Sequence, residues 1–119
     1  MEKQKQNKNS AATNNLEALF KIAVEKKASD LHLVVGQPPI IRIDGSLQPI
    51  EKQKELTKDS IRELLYSILS TAQEEKLTTK RDLDMSYEIP DVARFRVNMH
   101  HEKGNLGLVA RIVTHHIPK

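Results

Sequence analysis

The sequence predicts an α+β domain, one antiparallel sheet with helices packed against it. Apolar residues recur at helical spacing from Leu16 to Val24, then alternate with polar ones from Asp30. Helical spacing returns at Ile61 and alternation at Leu83. The order is therefore helix, strands, two helices and a three-strand meander, and short turns between consecutive strands make the sheet antiparallel. With 119 residues there is room for one domain, and two Phe, two Tyr and no Trp leave its core largely aliphatic.

After Met1 and Glu2, residues 3–15 are Lys, Gln, Asn, Ser, Ala and Thr, with no large apolar side chain. Such a segment cannot offset its ordering entropy and is expected to be a flexible polar tail. The domain then spans 16–118. Its first helix carries Leu16, Leu19, Phe20, Ala23 and Val24 on one face, with Asn14 or Asn15 as cap. Leu31, Leu33 and Val35 predict a strand ending at Gly36, and Ile40, Ile41 and Ile43 a second. Asp44-Gly45 is a type I′ hairpin signal, because both turn positions need positive φ. Pro49 demotes the returning strand, Ser46–Ile50, towards an edge or an early end.

Leu56, Thr57 and Ile61 fit a hydrophobic staple around an N-cap, opening a helix that runs to Leu69. Thr71 and Glu74 repeat the capping-box spacing and predict a further helix to about Lys80.

Composition removes several function classes. Without cysteine there is no disulfide, Cys-based zinc site or Cys nucleophile, which fits a reducing compartment. No apolar run approaches the roughly 20 residues of a membrane-spanning helix, and no apolar stretch follows the N-terminal lysines as in a secretory signal. The formal net charge of +3 is concentrated in the first ten residues, where Lys3, Lys5 and Lys8 face Glu2. The remainder lacks the broad basic field of a nucleic-acid binder, so no nucleic-acid partner is expected.

The register of the meander follows from its pattern, because a slip of one residue turns every side chain to the wrong face. A three-residue loop at Pro90–Val92 pairs Ile89 with Ala93, Tyr87 with Phe95, Met85 with Val97 and Leu83 with Met99. A four-residue loop at Glu102–Asn105 pairs Met99 with Leu108, Val97 with Ala110 and Phe95 with Ile112. All of these pairs are apolar.

On the polar face this register sets Arg94 opposite Glu88 and Arg96 between Ser86 and Arg111. Like charges about 5 Å apart across a ladder are destabilising. The arrangement is sensible if an anion sits over the pair, since arginine forks match phosphate or carboxylate oxygens. The plainer alternative is that Asp84 and Glu88 neutralise the arginines, or that both splay into water.

Other constellations are weaker. His100-His101 and His115-His116 lie about 30 Å apart along the strands and cannot share an ion within one subunit. With no Cys and no HExxH or H-x₃-H spacing, no metal site is predicted. His32 beside Asp30 could form an acid–base couple, but such a pair is more often an ordinary solvated strand face. No G-x-x-x-x-G-K-[ST] phosphate loop occurs. Phe95 points away from Arg94 and Arg96, which argues against an RNA-binding sheet.

Several of these stretches together resemble one family. Ala28-Ser29-Asp30-Leu31-His32-Leu33, Gly36-Gln37-Pro38-Pro39 and Arg42-Ile43-Asp44-Gly45 resemble the opening of the pilus-retraction, PilT-like twitching-motility ATPases. Asp84–Asn98, with Ala93-Arg94-Phe95-Arg96-Val97-Asn98 at its end, and Arg111-Ile112 before His116-Ile117-Pro118, resemble the same proteins. The match runs from about Leu16 to Pro118.

The resemblance implies a PAS-like N-terminal domain of a hexameric secretion-superfamily ATPase, joined by a linker to a RecA-like core that holds ATP and Mg2+. This sequence stops about where that linker would begin, so the resemblance implies a fragment without ATPase activity of its own and no catalytic residue in this chain. It also implies that Arg96 and Arg111, with Arg94 as a third candidate, contact the nucleotide phosphate held by the core. The implied partners are that core, a homohexamer and the pilus platform of the inner membrane, at whose cytoplasmic face the motor would act. The alternative is a free-standing PAS-like sensor or interaction domain.

Overall fold

The computed structural model of the chain describes residues 16–115, with Thr114 and His115 described by backbone alone. The segment read as a polar tail, with its two candidate cap residues, lies outside the described residues, as do the last four residues. Three helices, α1 (Leu16–Glu25), α2 (Lys58–Tyr66) and α3 (Thr71–Lys80), pack on one antiparallel sheet. Its strands are β1 (Asp30–Leu33), β2 (Ile40–Ile43), β3 (Ser46–Pro49), β4 (Asp82–Ile89), β5 (Ala93–Glu102) and β6 (Asn105–His115). They lie in the order β3-β2-β1-β6-β5-β4.

The chain thus starts in the middle of the sheet, winds out to one edge, crosses through α2 and α3 to the other, and returns to close β6 against β1. Apolar residues of the strands meet the helices on one face. Leu31, Leu33, Phe95, Val97, Met99, Leu108 and Ala110 are buried there with Leu16, Leu19 and Phe20 of α1 and Ile61 and Leu65 of α2. Phe20 stacks on Phe95 with ring centroids 4.4 Å apart. Two of the four aromatics thus meet at the centre of an otherwise aliphatic core.

Local chemistry explains most boundaries. α1 ends in a Schellman motif, with Lys27 left-handed at φ 62° and Ala28 N–H bonded to the Ala23 carbonyl. Asp44 and Gly45 both have positive φ, 51° and 82°, and make the expected I′ turn. Lys103 and Gly104 do the same between β5 and β6, so those strands run one pair further than expected, to Glu102 opposite Asn105. β3, carrying Pro49, lies at the sheet edge as predicted.

Four further details differ from the sequence expectation. β1 stops at Leu33 rather than Gly36, because Gln37 N–H turns back to the Val34 carbonyl. α2 begins after the N-cap Thr57 but ends at Tyr66; Ile68 and Leu69 pack on the core from a tighter i→i+3 turn. The cap of α3 is Ser70, not Thr71, and closes its capping box with Gln73. Finally, β6 carries a bulge facing Arg94/Phe95: Phe95 pairs with Ile112 but Arg94 with Thr114, leaving Val113 as the extra residue.

Candidate functional site

The meander register places all seven apolar pairs as the pattern predicts, so Arg96 lies opposite Ser86 on one side and Arg111 on the other. Both guanidiniums stand on the face away from the helices. They line an open hollow of about 300 Å³ with Asp84, Asn98, Val97 and Val109.

Arg94 stands apart from this hollow. Its Nη2 lies 3.5 Å from Glu88 Oε1, the cross-strand ion pair the register implies, and it does not line the hollow. Glu88 is therefore engaged by Arg94. Asp84 is engaged too, since Asn98 Nδ2 donates to Asp82 and Asp84 at 3.0 Å each. Neither carboxylate forms an ion pair with Arg96 or Arg111, and among the described residues Arg96 has no ion pair at all.

The counter-charge of Arg111 comes instead from β1. Strand β1 pairs with β6 so that Asp30 lies opposite Arg111, and with β2 so that it also lies opposite Arg42. Asp30 Oδ2 is 3.9 Å from Arg111 Nε, with the carboxylate side chain 11% exposed and the arginine side chain 74%. Arg42 turns its Nη1 to the Gly45 carbonyl at 3.1 Å. One row across the sheet thus reads Arg42, Asp30, Arg111, Arg96, Ser86. The contact of Asp30 was hidden from sequence reasoning because β1 meets β6 across most of the chain, with no turn between them to signal the pairing.

The Asp30–His32 pair shares this polar face, but no hydrogen bond joins the two. Asp30 faces Arg111, and His32 Nε2 is buried without a hydrogen-bond partner among the described residues. His100 and His115 stand at opposite ends of the β5–β6 ladder, opposite Gly107 and Ala93.

Chemically, two outward guanidiniums side by side present several parallel N–H donors, a match to phosphate or carboxylate oxygens. The hollow is open and carries no glycine-rich loop to wrap a phosphate chain.

These features define the class: a single α+β domain of one six-stranded antiparallel sheet with three helices packed on it. No family model matches the chain. It is 36% identical over 95 residues to the type IV pilus retraction ATPase PilT of Pseudomonas aeruginosa, a match covering 80% of this chain and 27% of PilT. It is 26% identical over 102 residues to the type IV pilus ATPase PilU of the same organism, covering 86% of this chain and 26% of PilU.

The crystal structure of the pilus retraction motor PilT with bound ADP matches at a TM-score of 0.76 and 33% identity, over 87% of this chain and 30% of that one. The Legionella pneumophila ATPase DotB matches at a TM-score of 0.69 and 25% identity, over 87% and 30%. The chain is homologous to the N-terminal region of PilT and PilU and spans about a quarter of the length of these relatives. Among the described residues no helix is long and apolar enough to cross a membrane.

Proposed function

We propose that the chain is the nucleotide-sensing and subunit-interface domain of a type IV pilus retraction motor. In this reading Arg96 and Arg111 reach the phosphates of ATP held by a RecA-like core of the same or a neighbouring subunit. The observation that supports it best is the Arg96–Arg111 ladder pair, outward-facing over an open hollow, with Arg96 lacking an ion-pair partner among the described residues. Keeping two like charges opposed on a ladder costs stability unless an anion joins them. The homology to PilT makes a nucleotide phosphate the anion of choice.

ATP with Mg2+ would supply the transferring phosphoryl group, and the two guanidiniums would stabilise its charge as arginine fingers do. Arg94, tied to Glu88, belongs to the scaffold in this reading. The assembly would be a homohexamer at the cytoplasmic face of the inner membrane, acting on the pilus platform and not on nucleic acid.

The test is alanine substitution in a full-length parent ATPase. Arg96→Ala and Arg111→Ala should each lower turnover by about 10²-fold or more, as loss of a charge-stabilising donor does. Arg94→Ala should leave most of it. Turnover unchanged in both variants would remove the arginine-finger role.

A further inference from the structure

We infer that Asp30 is the resident counter-anion of the Arg96–Arg111 site and makes its affinity depend on ligand charge. This rests on reading the pair as a phosphate contact. Among the described residues Asp30 is the one buried charged side chain, at 8% exposure. Both of its neighbours across the ladders are arginines. Arg42 is tied to the β2–β3 turn through Gly45, so the partner that can respond to a ligand is Arg111.

The two members of the Asp30–Arg111 pair differ in freedom. A buried carboxylate on a four-residue central strand cannot follow its partner into solvent, whereas an exposed guanidinium on a long stem can swing. Asp30 and Arg96 flank Arg111 from opposite sides, and Asp30 does not line the hollow. The carboxylate therefore draws Arg111 away from Arg96 and offsets one of the two positive charges that a ligand would meet. An anion settling between the arginines competes with Asp30 for Arg111.

Two effects of Asp30 on binding oppose each other. Holding the Nε edge of Arg111 leaves its Nη pair for a ligand, which favours binding. Its negative charge repels that ligand, which opposes binding. A 3.9 Å contact to a largely exposed side chain restrains little, while the repulsion grows with every charge the ligand carries. Repulsion wins for polyanions, so Asp30 narrows the gap in affinity between a triphosphate and a single phosphate.

The experiment titrates the isotopically labelled 119-residue chain with inorganic phosphate and with tripolyphosphate. It follows the Nε–Hε resonances of Arg96 and Arg111 and the carboxyl carbon of Asp30. Asp30→Asn should tighten tripolyphosphate by about five- to tenfold and phosphate by less than about twofold, following the charge product. Asp30→Glu should restore the original dependence. In the unsubstituted chain, tripolyphosphate should move the Asp30 carboxyl resonance together with Arg111, a readout that needs no variant to fold.

Unchanged or weaker tripolyphosphate binding in Asp30→Asn, or an Asp30 resonance that stays still while Arg111 moves, overturns the counter-anion role and leaves the phosphate reading intact. No saturable shift in the unsubstituted chain, or a shift that survives Arg96→Ala, removes the phosphate reading and this inference with it.

Discussion

The Tyr87 hydroxyl donates a hydrogen bond to the Glu17 carboxylate, tying edge strand β4 to the first turn of α1. The Tyr87 ring also lies against Phe20, at 5.8 Å between centroids. Burial, then the hydrogen bond to Glu17, then the negative charge of Glu17 push the phenol from 10.0 up to about 12. Folding therefore favours the protonated phenol. The stabilisation this gives is complete below pH 10, declines as pH rises towards 12, and is lost once the folded-state phenol ionises. Tyr87→Phe should flatten the fall in stability across that window, measured by denaturant unfolding at a series of pH values. Parallel pH profiles for the two proteins would show that the contact is not coupled to folding.

The start of α3 separates two overlapping signals. Ser70-Thr71-Ala72-Gln73-Glu74 satisfies the capping-box spacing twice, from Ser70 to Gln73 and from Thr71 to Glu74. In the structure Gln73 N–H bonds to Ser70 Oγ at 3.2 Å, and Ser70 N–H to Gln73 Oε1 at 2.9 Å. Ser70→Ala should cost about 1 kcal/mol. Thr71→Ala, inside the first turn, should cost nothing measurable or raise stability slightly through helix propensity. The reverse order in thermal or urea melts would move the cap back to Thr71.

That ambiguity marks where sequence reasoning reached its limit. The meander was legible because each of its strands has one apolar face, so only one register buries it, and short loops link the strands directly. Arg96 opposite Arg111 followed from the same constraint. Asp30 opposite Arg111 did not, because β1 has only four residues and its partner β6 lies far along the chain. Its Leu31 and Leu33 would satisfy burial against several strands. The bulge at Val113 left no mark either, since alternation through Ile112 continues unbroken to the point where it occurs.

Gly107 is required by contact rather than by backbone conformation. A Cβ there would stand 2.9 Å from His100 Nε2 and 3.3 Å from the Leu33 carbonyl oxygen. The ring is held in place because Asn98 spends its amide hydrogens on Asp82 and Asp84, leaving Asn98 Oδ1 to accept from His100 Nδ1–H at 2.9 Å. Gly107→Ala should therefore destabilise the fold by about 1 kcal/mol, overpacking outweighing the entropy gained by removing a glycine. His100→Ala should absorb part of that loss. A double-mutant cycle showing no coupling would place the strain at the Leu33 carbonyl instead.

Arg96 and Arg111 should respond in opposite directions when either charge is removed. Arg96 has no ion pair among the described residues and faces a like charge, so Arg96→Gln removes repulsion and leaves nothing unpaired. Stability should hold or rise by up to about 0.5 kcal/mol, most clearly at low salt where repulsion is least screened. Arg111→Gln also removes that repulsion, but it deprives the buried Asp30 carboxylate of the guanidinium beside it. Taking the nearer guanidinium from a buried carboxylate is the larger effect, and the loss should be about 0.5–1 kcal/mol, because Arg111 is itself exposed and Arg42 remains opposite Asp30. Urea unfolding of the two variants at low and high salt decides the matter. If Arg96→Gln destabilises as much as Arg111→Gln, Arg96 serves the fold, and the case for a charge held ready for an anion fails at its strongest residue.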